Sequence, residues 1–353
     1  NMDKEIQKIR VNESVVNTYS YLKGNYNEDE FISSLKNDSK FEIINDDEIH
    51  FNFDKTLSND EIDSICERIN AGVNEKIVKD FYNGKFINIK FKNQSTLNIK
   101  NLLEENLSTA VFNVECDTYD SHLYFYSEIL GSGDQFNYLY NIDVKNNSKV
   151  TLVIFSNSKS KGFINLLGNC ESNCNIEVLF INVNKNNVYT NCKIYLNGEK
   201  SCSNVEVCYI CSENHKFDYN ITSSMIGKES ISNINGKGVL LDNGEKIFRG
   251  TVDFQKGCLN AEGCENEEVI ILSKNVKNQS LPLLLCKEKN VKGSHGFTAN
   301  SIDEDKIFYL LSRGFNEKEA KGLILRGKFL NLLKEVKNEE IVDKFMNLLM
   351  EAI

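Results

Sequence analysis

The sequence predicts a mainly β protein: a β-helix, or solenoid, with helical segments at both of its ends. From residue 85 to about residue 292 the apolar residues follow no helical period, and short apolar runs are separated by clusters of Asn, Gly and Ser. Within that stretch Gly168, Gly198 and Gly227 recur at intervals of 30 and 29 residues, each followed by a polar turn and a strand-like pattern. A repeat of this length without helices fits a β-helix, in which each coil buries its apolar face against its neighbours.

The segment before the repeats, residues 2–84, is predicted to be a mostly helical module. One helix is predicted after Ser58, where apolar residues recur at helical spacing and acids occupy the first turn. A second is predicted over residues 75–82, and the alternation of apolar and polar residues favours a hairpin within residues 41–53. The apolar residues of the first helix are Ile62, Ile65, Cys66 and Ile69.

The end of the repeats joins an extended segment to helices. Pro282 blocks a helix interior, and the extended pattern continues to Lys292. Next comes the segment Gly293-Ser294-His295-Gly296, in which glycines on either side let another backbone approach closely. Residues 299–353 then form a predicted C-terminal helical domain, in which Gly314 ends the first helix. Two capping boxes are predicted at helix starts, Ser301 with Glu304 and Asn316 with Glu319.

Composition excludes several classes of protein. The formal charge of −10, with lysines spread through the chain, argues against a nucleic-acid binder, which needs a basic face. No apolar run approaches the roughly 20 residues of a membrane span, and no secretion signal opens the chain, so a cytoplasmic protein without membrane contact is expected. The eleven cysteines are odd in number, and in a cytosolic context they are predicted to be free thiols.

Several motifs in the last third resemble a known family, the SufB/SufD proteins of iron-sulfur cluster assembly. The His-Gly pair at His295 is similar to SufD, whereas SufB usually has His-Glu there. The resemblance implies a right-handed parallel β-helix over residues 85–298, between the two helical parts. The matching motifs are residues 292–296, Asp303, Phe308-Tyr309-Leu310, Ser312-Arg313-Gly314, Glu319-Ala320, residues 237–240 and Phe248-Arg249-Gly250.

The resemblance also implies a function. The chain is expected to be a SufD-like subunit of the cytoplasmic SUF scaffold, not itself an enzyme, and to work with a SufB-type paralogue and a SufC-type ABC ATPase. ATP hydrolysis is expected only in that ATPase, because this chain has no GxxxxGK[ST] loop. In isolation a homodimer is expected. The ATPase would dock on the C-terminal helices, where the predicted contact residues are Phe308, Tyr309, Arg313 and Phe315.

Iron or a nascent cluster is expected to bind transiently rather than tightly. Its predicted ligands are His295, Cys264 and Glu267. Counting back along the family pattern places Glu267 where SufB carries its essential Cys. A carboxylate can hold iron but cannot accept sulfane sulfur, so this departure favours a SufD-like role. In the alternative, a self-sufficient homodimeric scaffold, Cys264 replaces the missing sulfur acceptor. Cys258 and Cys286 lie nearby and are predicted to pack.

Other candidate residues are predicted to be structural. Cys208 and Cys211 have CxxC spacing, but in a strand they point to opposite faces and cannot chelate one metal. Cys170 and Cys174 flank a turn, and without a second pair at zinc-site spacing they are predicted to be core or surface thiols. The further expectations are a structural bridge at Arg249 to a carboxylate or carbonyl, and a solvated side chain at His215.

A β-helix that binds or cleaves carbohydrate is the alternative from another class. Such sites need exposed paired carboxylates and aromatic platforms, usually in a secreted chain. This chain has no Trp, no secretion signal and eleven cysteines, which argue against it.

Overall fold

The structure, a computed structural model, describes residues 4–16, 18, 21–34, 39–45, 49–52, 59–69, 73–104, 106–116, 118–334 and 336–353. Within these ranges no helix is long and apolar enough to cross a membrane. The N-terminal elements are β1 (Lys4–Val11), β2 (Asn27–Ser34), β3 (Lys40–Asn45), β4 (Ile49–Asn52), α1 (Asn59–Ile69), α2 (Glu75–Asp80) and a 3-10 turn (Phe81–Asn83).

A parallel β-helix follows, as the repeats predicted. Its first strands are β5 (Lys85–Phe91), β6 (Gln94–Leu103), β7 (Leu107–Cys116), β8 (His122–Gly131), β9 (Gln135–Val144), β10 (Lys149–Ser158), β11 (Lys161–Cys170) and β12 (Asn175–Asn182). The rest are β13 (Val188–Leu196), β14 (Cys202–Cys211), β15 (Lys216–Met225), β16 (Ile231–Leu240), β17 (Glu245–Phe254), β18 (Glu262–Ile271), β19 (Lys277–Ser280), β20 (Leu283–Cys286) and β21 (Lys292–Asn300).

Two parallel sheets face each other across the apolar interior. From β5 to β17 the odd-numbered strands pair in one sheet, which β19 and β20 continue, and β6 to β18 pair in the other, which ends at β21. Every second side chain points inward, and those of successive coils stack into one continuous core. We call this inner space the lumen. Consequently, a residue's place in the alternation decides whether it faces the lumen or the outside.

The corners between the sheets depend on residues in the left-handed conformation. The even-numbered strands from β8 to β18 are each preceded by such a corner. At all six corners, the residue two positions before the strand has φ between 54° and 59°. Four of the six are Asn or Asp, which tolerate this conformation best among non-glycine residues. The six residues are Asp120, Asn147, Asn173, Lys200, Glu229 and Asn260. Three of the six are Asn, which agrees with the Asn clusters that separate the apolar runs of the sequence.

The glycine repeat is partly confirmed. Gly198 and Gly227 lie at equivalent corners one coil apart, where backbones approach so closely that a Cβ on Gly227 would lie 1.8 Å from the carbonyl oxygen of Gly198. Gly168 is different, because it lies inside β11. The spacing of 29 residues thus measures one coil, whereas the first interval of 30 relates two positions that are not equivalent.

Gly198→Ala is expected to destabilise the protein by about 1–3 kcal/mol, because added volume in a packed site forces the backbone to shift. The new Cβ would lie 1.9 Å from the backbone nitrogen of Ser172. Chemical unfolding followed by circular dichroism measures the loss. Gly327→Ala is the control: nothing lies within 4 Å of its added Cβ, and it is expected to gain up to about 1 kcal/mol from helix propensity. Equal stability of the two variants would contradict the corner assignment.

The N-terminal module is not mostly helical, as was predicted. The two predicted helices are present as α1 and α2, and Ile65 and Ile69 of α1 are buried, but four strands accompany them. Ile62 and Cys66 have side chains outside the described set. The predicted hairpin is also wrong: β3 pairs antiparallel with β6, and β4 pairs antiparallel with β5. Each therefore adds a strand to one sheet at the start of the β-helix, where an exposed edge would otherwise remain.

The C-terminal helices are α3 (Glu304–Ser312), α4 (Glu317–Leu333) and α5 (Glu339–Ala352). The capping box of Asn316 and Glu319 is confirmed, and Gly314 has φ +97° between α3 and α4. The first predicted box is wrong. Asp303 is the N-cap of α3, and its side chain accepts hydrogen bonds from the backbone of Asp305 and Lys306.

The C-terminal helices pack along the side of the β-helix. Apolar side chains of α4 and α5 contact the outer face of the even-numbered sheet in a second core that extends from β8 to β18. Among them are Leu325, Phe329, Ile341, Phe345 and Leu349, packed with Phe155, Ile181, Cys208, Val239 and Ile270. α4 and α5 therefore lie beside the solenoid rather than over its end, and β21 remains the edge of its sheet.

Candidate functional site

The last strand of the even-numbered sheet, β21, carries the glycine-flanked histidine. This segment was placed between an extended part and the helices, but it is itself a strand that continues to Asn300 and pairs in parallel with β18. Pairing has been found on one side of β21 only, and most of its residues are exposed. We call β21 and its neighbour β18 the open edge. His295 is exposed there, on a strand rather than in a loop.

The alternation of β18 divides the predicted ligands between two faces. Glu265 and Glu267 are buried and face the lumen, whereas Cys264 lies on the outer face. The register with β21 sets His295 opposite Glu265, and side chains opposite each other in adjacent strands share a face. Cys264 instead lies opposite Ser294, whose hydroxyl donates a hydrogen bond to its sulfur at 3.2 Å. The structure therefore does not bring Cys264 together with His295 and Glu267.

Glu267 belongs to a buried polar cluster in the lumen. Its carboxylate pairs with the ammonium of Lys246, and neither side chain is exposed to solvent. Ser280 donates to the other carboxylate oxygen, and the Tyr209 hydroxyl lies 3.4 Å from the first. Burial raises the pKa of the Glu267 carboxyl and lowers that of the Lys246 ammonium, because desolvation penalises both charges. Glu267 is therefore already fully engaged within the protein.

Glu265 is a buried acid of the open edge that sequence reasoning did not single out. It is 2% exposed, and its Oε2 has no hydrogen-bond partner among the described residues. Burial, together with the charge of nearby Glu267, raises the pKa of the Glu265 carboxyl to about 8. Strand alternation places Glu265 and Glu267 on one face, and this signal was available in the sequence. Which face points inward could be known only from the coiling of the chain.

The described residues contain no group of three or more His, Cys, Asp and Glu side chains arranged to hold a metal ion. Of the cysteines near the open edge, Cys258 is buried, Cys264 is half-buried and Cys286 is exposed.

The CxxC pair is structural, as predicted, although both of its thiols are buried. Cys211 packs in the lumen and Cys208 packs on the opposite face, beneath the C-terminal helices. Burial raises the pKa of Cys211 to about 12 and raises that of Cys208 well above its usual value. Cys170 and Cys174 also lie in the lumen core. Reactive thiolates are not expected at any of these four positions.

Arg249 forms the structural bridge that was predicted for it. Its guanidinium pairs with the buried carboxylate of Asp218 and donates from Nε to the carbonyl of Gly24 at 2.6 Å, and so holds the N-terminal segment on the β-helix. The prediction for His215 is wrong, because its side chain is only 16% exposed. Burial lowers the pKa of His215, whose Nε2 lies 3.5 Å from a carboxylate oxygen of Glu213.

A second candidate site lies on α3 and α4. No residue of α3 is buried, and the side chains of Phe308 and Tyr309 are 73% and 55% exposed. The guanidinium of Arg313 lies 5.2 Å from the ring centre of Tyr309, and Phe315 is also exposed. These four residues are here called the α3–α4 surface. One of them, Tyr309, lines a cleft of about 490 Å³ between the two helices. Aromatic and Arg side chains grouped in this way are typical of protein interfaces.

Ion pairs join α4 and α5 to the even-numbered sheet, and one of them reaches the open edge. Glu268 on the outer face of β18 pairs with Lys328 of α4 and lies 2.9 Å from Lys237 of β16. Lys344 of α5 pairs at 2.6 Å with Glu128 of β8, which is almost fully buried. Because β18 pairs with β21, the strand that carries His295 is only one strand away from the contact with α4.

Comparison with known proteins identifies the family. The model of the family described as "SUF system FeS cluster assembly, SufBD core domain" matches residues 94–328, more than half of the chain. The chain is 27% identical over 132 residues to the iron-sulfur cluster assembly protein SufD of Bacillus subtilis, which is 37% of this chain and 30% of that protein. It is 28% identical over 103 residues to SufD of Escherichia coli, 29% of this chain and 24% of that protein.

A SufBD family protein of Mycobacterium bovis is 25% identical over 146 residues, 41% of this chain and 17% of that protein. In each of these three comparisons the match spans less than a third of the relative's length. The family model nevertheless covers nearly the whole β-helix, together with α3 and most of α4. The chain is therefore a member of the SufBD family of the SUF system of iron-sulfur cluster assembly.

Proposed function

We propose that this chain is a SufD-like, non-enzymatic subunit of the scaffold on which the SUF system assembles iron-sulfur clusters. Iron and the nascent cluster are its cargo. The observation that carries the proposal is the geometry of the open edge, where His295 is displayed on an unshielded strand of a SufBD-type β-helix. His295-Gly296 and the carboxylate at Glu267 favour SufD over SufB, because Glu267 cannot accept sulfur. A cytoplasmic location agrees with ten cysteines that are all free among the described residues.

The open edge is proposed to receive a second β-helix, either a SufB-type paralogue or, in isolation, a second copy of this chain. An unpaired strand edge offers backbone donors and acceptors that a partner's strand can satisfy. Phe297 is 47% exposed on β21 and supplies apolar contact area beside His295. The partner would complete the ligand set that one protomer leaves incomplete.

The α3–α4 surface is proposed to bind the SufC-type ABC ATPase. Exposed Phe308 and Tyr309 have few contacts to lose with the β-helix, since α3 buries none of its residues. A closing motion of the ATPase would be transmitted through α4 and the Lys328–Glu268 pair to β18, and from there to β21. Such a shear of packed elements would change access to His295.

Phe308→Ala combined with Tyr309→Ala is expected to weaken binding of the ATPase at least tenfold, because truncating exposed aromatic anchors removes most of the energy of an interface. The measurement is surface plasmon resonance with the purified SufC-type ATPase, with and without ATP. Tyr119→Ala is the control: Tyr119 is equally exposed, but it lies at a corner of the β-helix remote in sequence from α3. Unchanged binding by the double variant, or no binding by the unmodified chain, would contradict the proposal.

A self-sufficient homodimeric scaffold is the second candidate function. The observation in its favour is the accessibility of Cys264, a half-buried thiol on the strand next to β21. Anaerobic reconstitution of the isolated protein distinguishes the two functions. A stable cluster on the homodimer that is lost in Cys264→Ala supports the homodimeric scaffold, whereas no stable cluster without a paralogue supports the SufD-like role.

A further inference from the structure

We infer that Glu265, rather than Cys264 or Glu267, is this chain's own partner of His295 in holding a ferrous ion at the open edge. The inference rests on the proposed function in that iron is taken as the cargo. Glu265 and His295 are cross-strand neighbours on one face of a parallel pair, where adjacent strands lie about 4.8 Å apart. Carboxylate and imidazole together are suitable ligands for iron(II).

The two other candidates are excluded by their surroundings. Cys264 projects from the opposite face of β18, where Ser294 and Asn266 donate hydrogen bonds to its sulfur. Glu267 faces the lumen, but both of its oxygens are occupied, one by Lys246 and the other by Ser280. Removing Glu267 from Lys246 to bind a metal would leave a buried ammonium without a partner, which is costly.

Glu265 has what the others lack, a buried oxygen without a partner. Within the part of the chain that the structure describes, its Oε2 accepts no hydrogen bond, although buried polar atoms in native proteins almost always have one. The carboxylate lies against Gly250, where an added Cβ would be 2.5 Å from the Cγ of Glu265, so this space is kept free of any other side chain. Because Lys246 is already balanced by Glu267, the cluster contains one carboxyl group more than it has cations.

The open side of β21 provides the route of entry. A cation that reaches the end of the lumen meets exposed His295 first and Glu265 next, one strand further in. Two protein ligands leave the remaining coordination positions to water or to the partner β-helix. The site is thus half-built in one protomer, which suits a metal that must later be given up.

Anaerobic titration of the full chain with Fe²⁺, followed by calorimetry, tests the inference, and Co²⁺ provides a visible spectrum for the same site. One ion per protomer is expected. Glu265→Gln and His295→Ala are each expected to weaken binding at least tenfold, and the double variant to lose less than the sum of the two, since both act on one ion. Glu262→Gln is the matched control: Glu262 is an exposed carboxylate on the same strand, paired with Lys292, and its variant is expected to bind as the unmodified chain does.

Circular dichroism checks that Glu265→Gln is folded, and Glu265→Asp, which keeps the carboxylate, is expected to retain part of the affinity. Unchanged binding by Glu265→Gln, or no Fe²⁺ binding by the unmodified chain, overturns the inference. Neither result bears on capture of the ATPase, which is measured separately. If the chain did not bind the ATPase but its variants bound Fe²⁺ as expected, the proposed partner would be wrong and the inferred metal site would stand.

Discussion

Lys246→Met is expected to lower the free energy of unfolding by about 3–5 kcal/mol, because it leaves the Glu267 carboxylate buried without its counter-ion. The ammonium and the carboxylate are both inaccessible to solvent. The deficit should shrink as the pH falls. Burial already raises the folded-state pKa of Glu267 above its unfolded value, so protonation of the folded variant at lower pH removes the uncompensated charge.

Urea unfolding at several pH values measures this effect. Lys277→Met is the control, because Lys277 pairs with Glu245 but is 73% exposed, and exposed pairs contribute about 1 kcal/mol or less. Lys246→Met combined with Glu267→Leu is expected to recover most of the loss, since no unpaired charge then remains. If Lys246→Met unfolded within 1 kcal/mol of the unmodified protein, the buried pair would not have the role assigned to it.

Arg249→Met is expected to have an effect of similar size, about 3–5 kcal/mol, for two reasons. It leaves the fully buried carboxylate of Asp218 without its cation, and it removes the donor to the carbonyl of Gly24. Among the residues that the structure describes, the side-chain amides of Asn12 and Asn27 would then remain as donors to the Asp218 carboxylate. The N-terminal segment between β1 and β2 should therefore detach from the β-helix at the same time.

Chemical unfolding and limited proteolysis measure the two effects separately. In Arg249→Met, cleavage between β1 and β2 is expected to become faster than in the unmodified protein under native conditions. Arg249→Lys keeps the positive charge but replaces the planar guanidinium, which donates to the carboxylate and the carbonyl at once, with a compact ammonium. It is expected to restore only part of the lost stability. Lys161→Met, which removes a partly buried pair with Asp29 on β2, should have a smaller effect. An unchanged rate of proteolysis in Arg249→Met would contradict the role of Arg249 in holding the N-terminal segment on the β-helix.

The sequence was most informative where structure depends on near neighbours. The Asn316 capping box, the stop at Gly314 and the coil spacing from Gly198 to Gly227 are set within a few residues or by one repeat. The opposite directions of Cys208 and Cys211 follow from strand alternation alone, and the structure confirms them. These features could be predicted because no distant part of the chain takes part in them.

What the sequence did not predict depends on contacts between distant segments. Cys208 is buried because α4 and α5 cover the outer face of the sheet. No pattern in the sequence near Cys208 indicates this packing. β3 and β4 are short and join different sheets by pairing with β6 and β5, so they read locally as a hairpin. Likewise, the register between β18 and β21, which matches His295 with Glu265, is fixed only once the last coil has closed.

The helices along the side wall have a mechanical consequence. An ordinary solenoid can lose its coils singly from either end, since each coil contacts only its neighbours. Here α4 and α5 pack across the coils from β8 to β18, so those coils are expected to unfold together. β21 lies beyond the coils that α4 and α5 cover, so it can separate from β18 without the other coils. Local flexibility is then expected at the edge proposed above to exchange iron.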